Sequence, residues 1–222
     1  MMKYWRKVRN LKLDSKSLLL YAITDRAWLK GKTVAEAVEE AILGGATCIQ
    51  LREKNLSDEE FLKTAMDVKA VTDKYNIPFI INDNVDIAVR VGADGAHIGQ
   101  DDEEIKSARE KLGADKIIGL SAATVEEAVQ AEQSGADYIG VGAVFNTLTK
   151  LDANTVSFET LKEICNTVKI PVVAIGGISK DNALQLAGTG IEGISVVSAI
   201  FAQNDIKTAA SELLELAKKI IE

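Results

Sequence analysis

Arg52 and Lys54 stand two positions apart where an apolar run ends, in Gln50-Leu51-Arg52-Glu53-Lys54. Side chains alternate along a strand, so Gln50 and Arg52 share one face while Ile49 and Leu51 share the other. If the first face is inward, an interior guanidinium has to meet an anion. That anion is either a ligand or, as plain packing, Glu53 or a carboxylate of a neighbouring strand. Two further apolar runs end in Asn82-Asp83 and in His97-Ile98-Gly99-Gln100-Asp101-Asp102. Carboxylates on adjacent strand ends suit Mg2+, which takes one or two protein carboxylates together with phosphate oxygens and water. Singly, Asp83, Asp101 and Asp102 also read as helix N-caps. His97 is the only histidine of the chain and reads as a bonded core or supporting group.

Other polar residues follow later apolar runs. Ser121 comes after one of them, with a simple N-cap near Thr124 as the bland reading. A long polar connection, 145–155, contains Thr147-Leu148-Thr149-Lys150. Two hydroxyls and an ammonium make a phosphate clamp, and a connection of that length suits a mobile lid. Gly176-Gly177 and Val197-Ser198 close the series. Paired glycines let backbone N–H groups approach an anion, which a helix start also attracts.

These residues need a scaffold that brings many strand ends together. Short apolar runs lie at 18–24, 46–51, 78–82, 95–99, 116–120, 138–141, 172–175 and 194–197. Helical periodicity follows at 33–43, 57–75, 124–134, 158–168, 181–187 and 205–221, with shorter stretches at 85–91 and 103–111. Eight alternating pairs predict one (β/α)8 TIM barrel; an open doubly wound sheet has fewer strands. The phrases Gly44-Gly45-Ala46, Gly92-Ala93-Asp94-Gly95, Gly135-Ala136-Asp137 and Gly190-Ile191-Glu192-Gly193 mark helix ends entering strands. In such barrels the chemistry sits at the C-terminal strand ends, and the loops after strands seven and eight often bind phosphate. Residues 1–222 are expected to form one domain, with 1–17 as an extension in which Tyr4, Trp5, Val8 and Leu11 share a helical face.

A net charge of −7 disfavours a nucleic-acid surface, so any phosphate must be met by local cations, a metal or backbone amides. No apolar run reaches the length of a membrane span and no signal peptide is legible, which points to the cytoplasm. Cys48 and Cys165 lack metal or redox spacing and read as reduced core thiols. Two anion subsites follow. One holds Arg52, Lys54, Lys150 and Mg2+; the other is built of amides after strands seven and eight. Two phosphorylated small molecules would fill them, one of them a diphosphate.

From residue 21 to about 202, the chain resembles the thiamine-phosphate synthase family. The phrases that carry the resemblance are Gln50-Leu51-Arg52-Glu53-Lys54, Asn82-Asp83, His97-Ile98-Gly99-Gln100, Gly140-Val141-Gly142, Thr147-Leu148-Thr149-Lys150, Ile175-Gly176-Gly177-Ile178 and Val196-Val197-Ser198-Ala199. The resemblance implies a transferase that joins a pyrimidine diphosphate to a thiazole phosphate, giving thiamine phosphate and pyrophosphate. It implies that Gln50, Arg52, Lys54 and Asn82, with Leu51 and Glu53 in the same phrase, hold the pyrimidine diphosphate. Ser121 and Lys150 would contact that substrate, and Asp83 and Asp102 would carry Mg2+. Thr147, Thr149, Gly177, Val197 and Ser198 would take the thiazole phosphate. Arg52, Lys54 and Lys150 would be catalytic, and a homo-oligomer is compatible with all of this.

The sequence departs from the family pattern at four places. Ala123 stands where His is common and Ala143 where Pro is usual; Asn84 replaces Arg or another polar residue, and Ser157 lies near a usual Gly. A thiazole tautomerase-like isomerase is the competing enzyme reading. It would use the missing His and would not need Lys54, Asp83, Asp102 and Lys150. A non-catalytic thiamine-pathway sensor is the third, and would have lost those charges.

Overall fold

The computed structural model describes residues 15–100, 104–146 and 155–222. Eight parallel strands close into a barrel in sequence order. They are β1 Leu20–Ile23, β2 Cys48–Leu51, β3 Phe79–Asn82, β4 Gly95–Ile98, β5 Ile117–Ala122, β6 Tyr138–Val141, β7 Val172–Ile175 and β8 Gly193–Val196, with β8 pairing back onto β1. The helices are α1 Val34–Leu43, α2 Asp58–Tyr75, α3 Val85–Val91, α4 Ile105–Leu112, α5 Val125–Ser134, α6 Phe158–Thr167, the four-residue α7 Ser198–Phe201, and α8 Ile206–Ile221. The barrel expected from the alternation is the fold found. The proposed helical face of Tyr4, Trp5, Val8 and Leu11 lies outside the described residues; Ser15–Leu18 form a 3-10 turn leading into β1.

Period-two alternation separates two cores. Outward residues such as Leu20, Ala22, Ile49, Leu51, Phe79, Ile81, Ile139 and Val141 join the helices in one shell. Inward residues Tyr21, Cys48, Ile80, Ile117, Tyr138 and Val173, with Leu18, form a second cluster that plugs the lumen. Both faces of a parallel strand are therefore buried, which is why the runs are almost continuously apolar. Above the plug the inward positions turn polar, and the site begins there.

Helix starts are set by local chemistry. Thr33 and Ser57 make capping boxes with Glu36 and Glu60, and Thr124, Ser157 and Asp205 cap α5, α6 and α8. Three expectations need correction. The segment between β7 and β8 is a short 3-10 turn, Ala183–Leu186, rather than an α-helix over 181–187. The amide of Asn182, which precedes it, is already engaged: Nδ2 donates to the Gly177 carbonyl at 2.9 Å and Oδ1 accepts from the Ser179 N–H at 2.8 Å. Ser121 lies within β5, not after it. The cap of α3 is Asn84, whose Oδ1 accepts from the Ile87 N–H at 2.9 Å, so Asp83 is not the cap.

Candidate active site

The described candidates lie at or just beyond the C-terminal ends of β2, β3, β5, β7 and β8. Gln50 is buried and faces the lumen, while Leu51 packs into the helix-facing shell and can offer the mouth only its backbone. Arg52 follows β2 directly. Its N–H donates to Thr24 Oγ1 at 3.1 Å, which ties the ends of β1 and β2 together. Its half-buried guanidinium makes no hydrogen bond or ion pair to another side chain among the described residues. The salt bridge to Glu53 considered as plain packing does not form. Glu53 is taken by Arg26, whose Nε and Nη2 donate to the two carboxylate oxygens at 3.1 and 2.9 Å. Only 4% of the Glu53 side chain is exposed. That fork fixes the segment from which Arg52 and Lys54 project.

Lys54 reaches across to β3, where Nζ lies 2.5 Å from Asp83 Oδ2. Asn82 Nδ2 donates to the other Asp83 oxygen at 2.8 Å. Asp83 has φ 60, a left-handed conformation uncommon outside glycine but tolerated by Asp. This turn after β3 is held by the Asp83 N–H, which donates to the His97 carbonyl at 2.8 Å. Cation, amide and carboxylate are thus gathered at the ends of β2 and β3. Asp83 supplies the hard oxygen donors that Mg2+ prefers, so it fits one half of a two-carboxylate site. Asp102, the other half, lies outside the described residues. So do Thr147, Thr149 and Lys150, and the expectations placed on them are untouched.

On the far side, Ser121 Oγ lies 3.1 Å from His97 Nε2, and Gln100 Nε2 donates to the Ser121 carbonyl at 2.7 Å. The bland reading of Ser121 as a cap fails, because Thr124 caps α5. After β7, Gly176 and Gly177 have φ 100 and 64. A side chain on Gly177 would strike the Asn146 carbonyl at 2.4 Å and Phe145 Cβ at 2.8 Å, so glycine is required where this turn meets the one after β6. The Phe145 N–H seals that junction on the Gly176 carbonyl at 3.0 Å. Val197 and Ser198 open α7 directly after β8, the strand that pairs with β7.

Several contributors are absent from the sequence-level inventory. Thr24 and Arg26 end the first apolar run in the same polar manner as the other strand ends, so the signal is present. Asn182 braces Gly177 from outside the run. Tyr21 and Tyr138 give no polar signal in sequence, because a tyrosine within an apolar strand reads as core. The departures Asn84 and Ser157 have local duties, since each caps the helix that follows it.

A closed (β/α)8 barrel with a cation–carboxylate cluster on one side of its mouth and glycine-rich turns on the other defines a phosphate-handling barrel enzyme. The sequence profile described as thiamine monophosphate synthase matches residues 20–200. The chain is 56% identical over 197 residues to a thiamine-phosphate synthase of Ruminiclostridium cellulolyticum, covering 89% of this chain and 94% of that one. It is 55% identical to the corresponding protein of Clostridium tetani, over 87% and 93% of the two chains. A solved thiamine phosphate pyrophosphorylase of Pyrococcus furiosus superimposes with a TM-score of 0.87 at 42% identity, covering 94% of this chain and 99% of that one. The chain belongs to the thiamine monophosphate synthase family, a family of transferases.

Proposed function

We propose that the chain joins 4-amino-5-hydroxymethyl-2-methylpyrimidine diphosphate to 4-methyl-5-(2-phosphoethyl)thiazole, releasing thiamine phosphate and pyrophosphate. The observation that carries this reading is the half-buried Arg52 guanidinium, without a carboxylate partner among the described residues, beside the Lys54–Asp83 pair. A cation held in that way is poised for an anionic ligand.

In this reading Gln50, Asn82 and Ser121 orient the pyrimidine diphosphate, with Leu51 and Glu53 in the same segment. Arg52, Lys54 and Lys150 stabilise the charge that grows on the pyrophosphate as its bond to the pyrimidine methylene carbon breaks. The electron-rich aminopyrimidine carries the complementary positive charge, and the thiazole nitrogen, held in line, forms the new bond. Thr147, Thr149, Gly177, Val197 and Ser198 anchor the thiazole phosphate. Mg2+, held by Asp83 and Asp102, would neutralise diphosphate charge. No protein nucleophile is needed. Residues 1–222 act as one domain in the cytoplasm; among the described residues no helix is long and apolar enough to cross a membrane.

The direct test is to incubate purified protein with both substrates and Mg2+ and follow thiamine phosphate by mass. Product is expected only when both substrates and the metal are present. Absence of product, with both substrates shown to bind, would sink the proposal.

A further inference from the structure

A row of hydrogen bonds crosses the barrel lumen beneath the mouth. Gln50 Nε2 donates to Tyr21 Oη at 2.7 Å. The Tyr21 and Tyr138 hydroxyls are 2.8 Å apart. Tyr138 Oη lies 2.9 Å from His97 Nδ1, and His97 Nε2 lies 3.1 Å from Ser121 Oγ. The five residues come from β2, β1, β6, β4 and β5, so the row links the two sides of the site through its floor. The first four are at most 8% exposed. Polar groups this deep are costly unless bonded, and each is bonded on. Room for the row is built in: a side chain on Gly119 would lie 2.2 Å from the Tyr138 ring.

The row has a direction. An amide NH2 only donates, so Tyr21 Oη accepts from Gln50 and gives its own hydrogen to Tyr138. Tyr138 then donates to His97 Nδ1. A neutral imidazole carries one hydrogen, which must sit on Nε2 and point at Ser121 Oγ. Ser121 accepts that bond and keeps its hydroxyl hydrogen for the mouth. The reverse polarity needs the Gln50 amide turned over, and it would aim the Ser121 hydrogen inward and its lone pairs outward, against an anionic diphosphate. Burial pushes both tyrosine pKa values well above the ordinary 10.0, so the hydroxyls stay neutral and able to relay.

We propose that this row fixes His97 as the Nε2–H tautomer and presents Ser121 as a pre-oriented hydroxyl donor to the diphosphate substrate, with Tyr21, Tyr138 and His97 as positioning residues for the reaction. The proposal rests on the reading that Ser121 meets that substrate. Bonds in such a chain polarise one another, and a donor aimed in advance needs no reorganisation when charge develops.

His97 is the only histidine, so labelled histidine gives one imidazole to observe. A long-range proton–nitrogen correlation spectrum of the substrate-free protein should show the hydrogen on Nε2. Finding it on Nδ1 would overturn the proposal, whatever the protein catalyses. Tyr138→Phe should mix the tautomers and lower kcat about tenfold, the scale of one lost hydrogen bond, with KM for the pyrimidine diphosphate within about twofold. A kcat loss with the tautomer unchanged would assign the effect to packing and also overturn it. Tyr21→Phe cuts the row one bond earlier and should act in the same sense but less, which covers a poorly folding Tyr138→Phe. A wild-type protein with the Nε2 hydrogen in place but no synthase turnover would sink the reaction, not the tautomer assignment.

Discussion

At the scale of single residues, Lys54 and Asp83 separate stability from catalysis. Their side chains are 48% and 28% exposed. An ion pair this open contributes about 0–1 kcal/mol to folding. The same ammonium, set against a departing diphosphate, acts where charge develops, and there one donor is worth about 2.7–4 kcal/mol of barrier. Lys54→Ala should therefore shift a urea unfolding midpoint hardly at all while lowering kcat/KM about a hundredfold or more. Asp83→Asn should depress turnover similarly and raise the Mg2+ concentration needed for half-maximal rate. Wild-type turnover in either variant would remove its assigned role. The inward placement of Gln50 was legible because strand alternation is strictly two-fold. The lack of a side-chain partner for Arg52 among the described residues was not, because Glu53 is equally available to Arg26, and only the fold decides which guanidinium it meets. The tyrosine pair was hidden for a related reason. Tyr21 and Tyr138 are 117 positions apart, and no local pattern tells which inward side chains meet across a lumen.

At the scale of elements, the recurring helix-to-strand phrases do more than end helices. Gly92 and Gly135 are left-handed C-caps with φ 67 and 93, as their sequence suggested. Two residues further on stands an acceptor. Asp94 Oδ2 takes the Phe79 N–H at 2.9 Å, and Asp137 Oδ2 takes the Ile118 N–H at 2.7 Å. Thr47, after Gly45, likewise accepts from the Leu20 N–H at 2.9 Å. Three of the four phrases thus staple their turns to the start of the preceding strand, at the end of the barrel opposite the site. Asp137 also holds Arg109 at 2.7 Å, and Arg109 donates to the Lys116 carbonyl as well. Asp137→Ala leaves a strand N–H unsatisfied, a loss of about 1–3 kcal/mol. Denaturant unfolding should register that loss while kcat and both KM values stay near wild type, because the change lies at the far end from the mouth. A selective loss of turnover with normal stability would refute the stapling role. The repeat was plain in the sequence, but the staple was not, since its acceptor and donor belong to different units. The seventh helix was overread for a comparable reason: the Asn182 amide serves the turn after β7 instead of capping a helix.

At the scale of the whole molecule, the buried row and the helix caps set opposite pH limits on the fold. On the acid side the Thr33 backbone and side chain hold the Glu36 carboxyl below 4.5, and Ser57 does the same for Glu60. Thr208 lowers Asp205 from 3.8, and Lys74 with Tyr75 lowers Glu39 from 4.5. A depressed carboxyl stabilises the fold above its unfolded pKa and loses that contribution as pH falls through the folded value. Three of these are solvent-exposed and the Glu39 side chain is 34% exposed, so the acid decline should be gradual and begin below about pH 5. On the alkaline side the raised groups Tyr21, Tyr138 and Cys48 are buried and Cys165 is partly so. Burial, then mutual repulsion with Tyr138 and Cys48, lifts Tyr21; burial, then Cys48, lifts Tyr138. Burial also raises the Cys48 thiol and pushes Cys165 up to about 11. A raised pKa stabilises fully below the unfolded value, here 9.0 for the thiols and 10.0 for the phenols, and loses that contribution as pH rises toward the folded one. The urea midpoint should hold level from about pH 5 to about pH 9 and then fall steeply. Phenolate absorbance should show Tyr21 and Tyr138 ionising only together with unfolding. If they titrate reversibly while circular dichroism stays native, the lumen admits water, and the row beneath the site is not the sealed structure its burial implies. The same seal that makes alkali destructive is what lets hydrogen bonds run unbroken from Gln50 to Ser121, so loss of native fold and loss of turnover should share one alkaline edge.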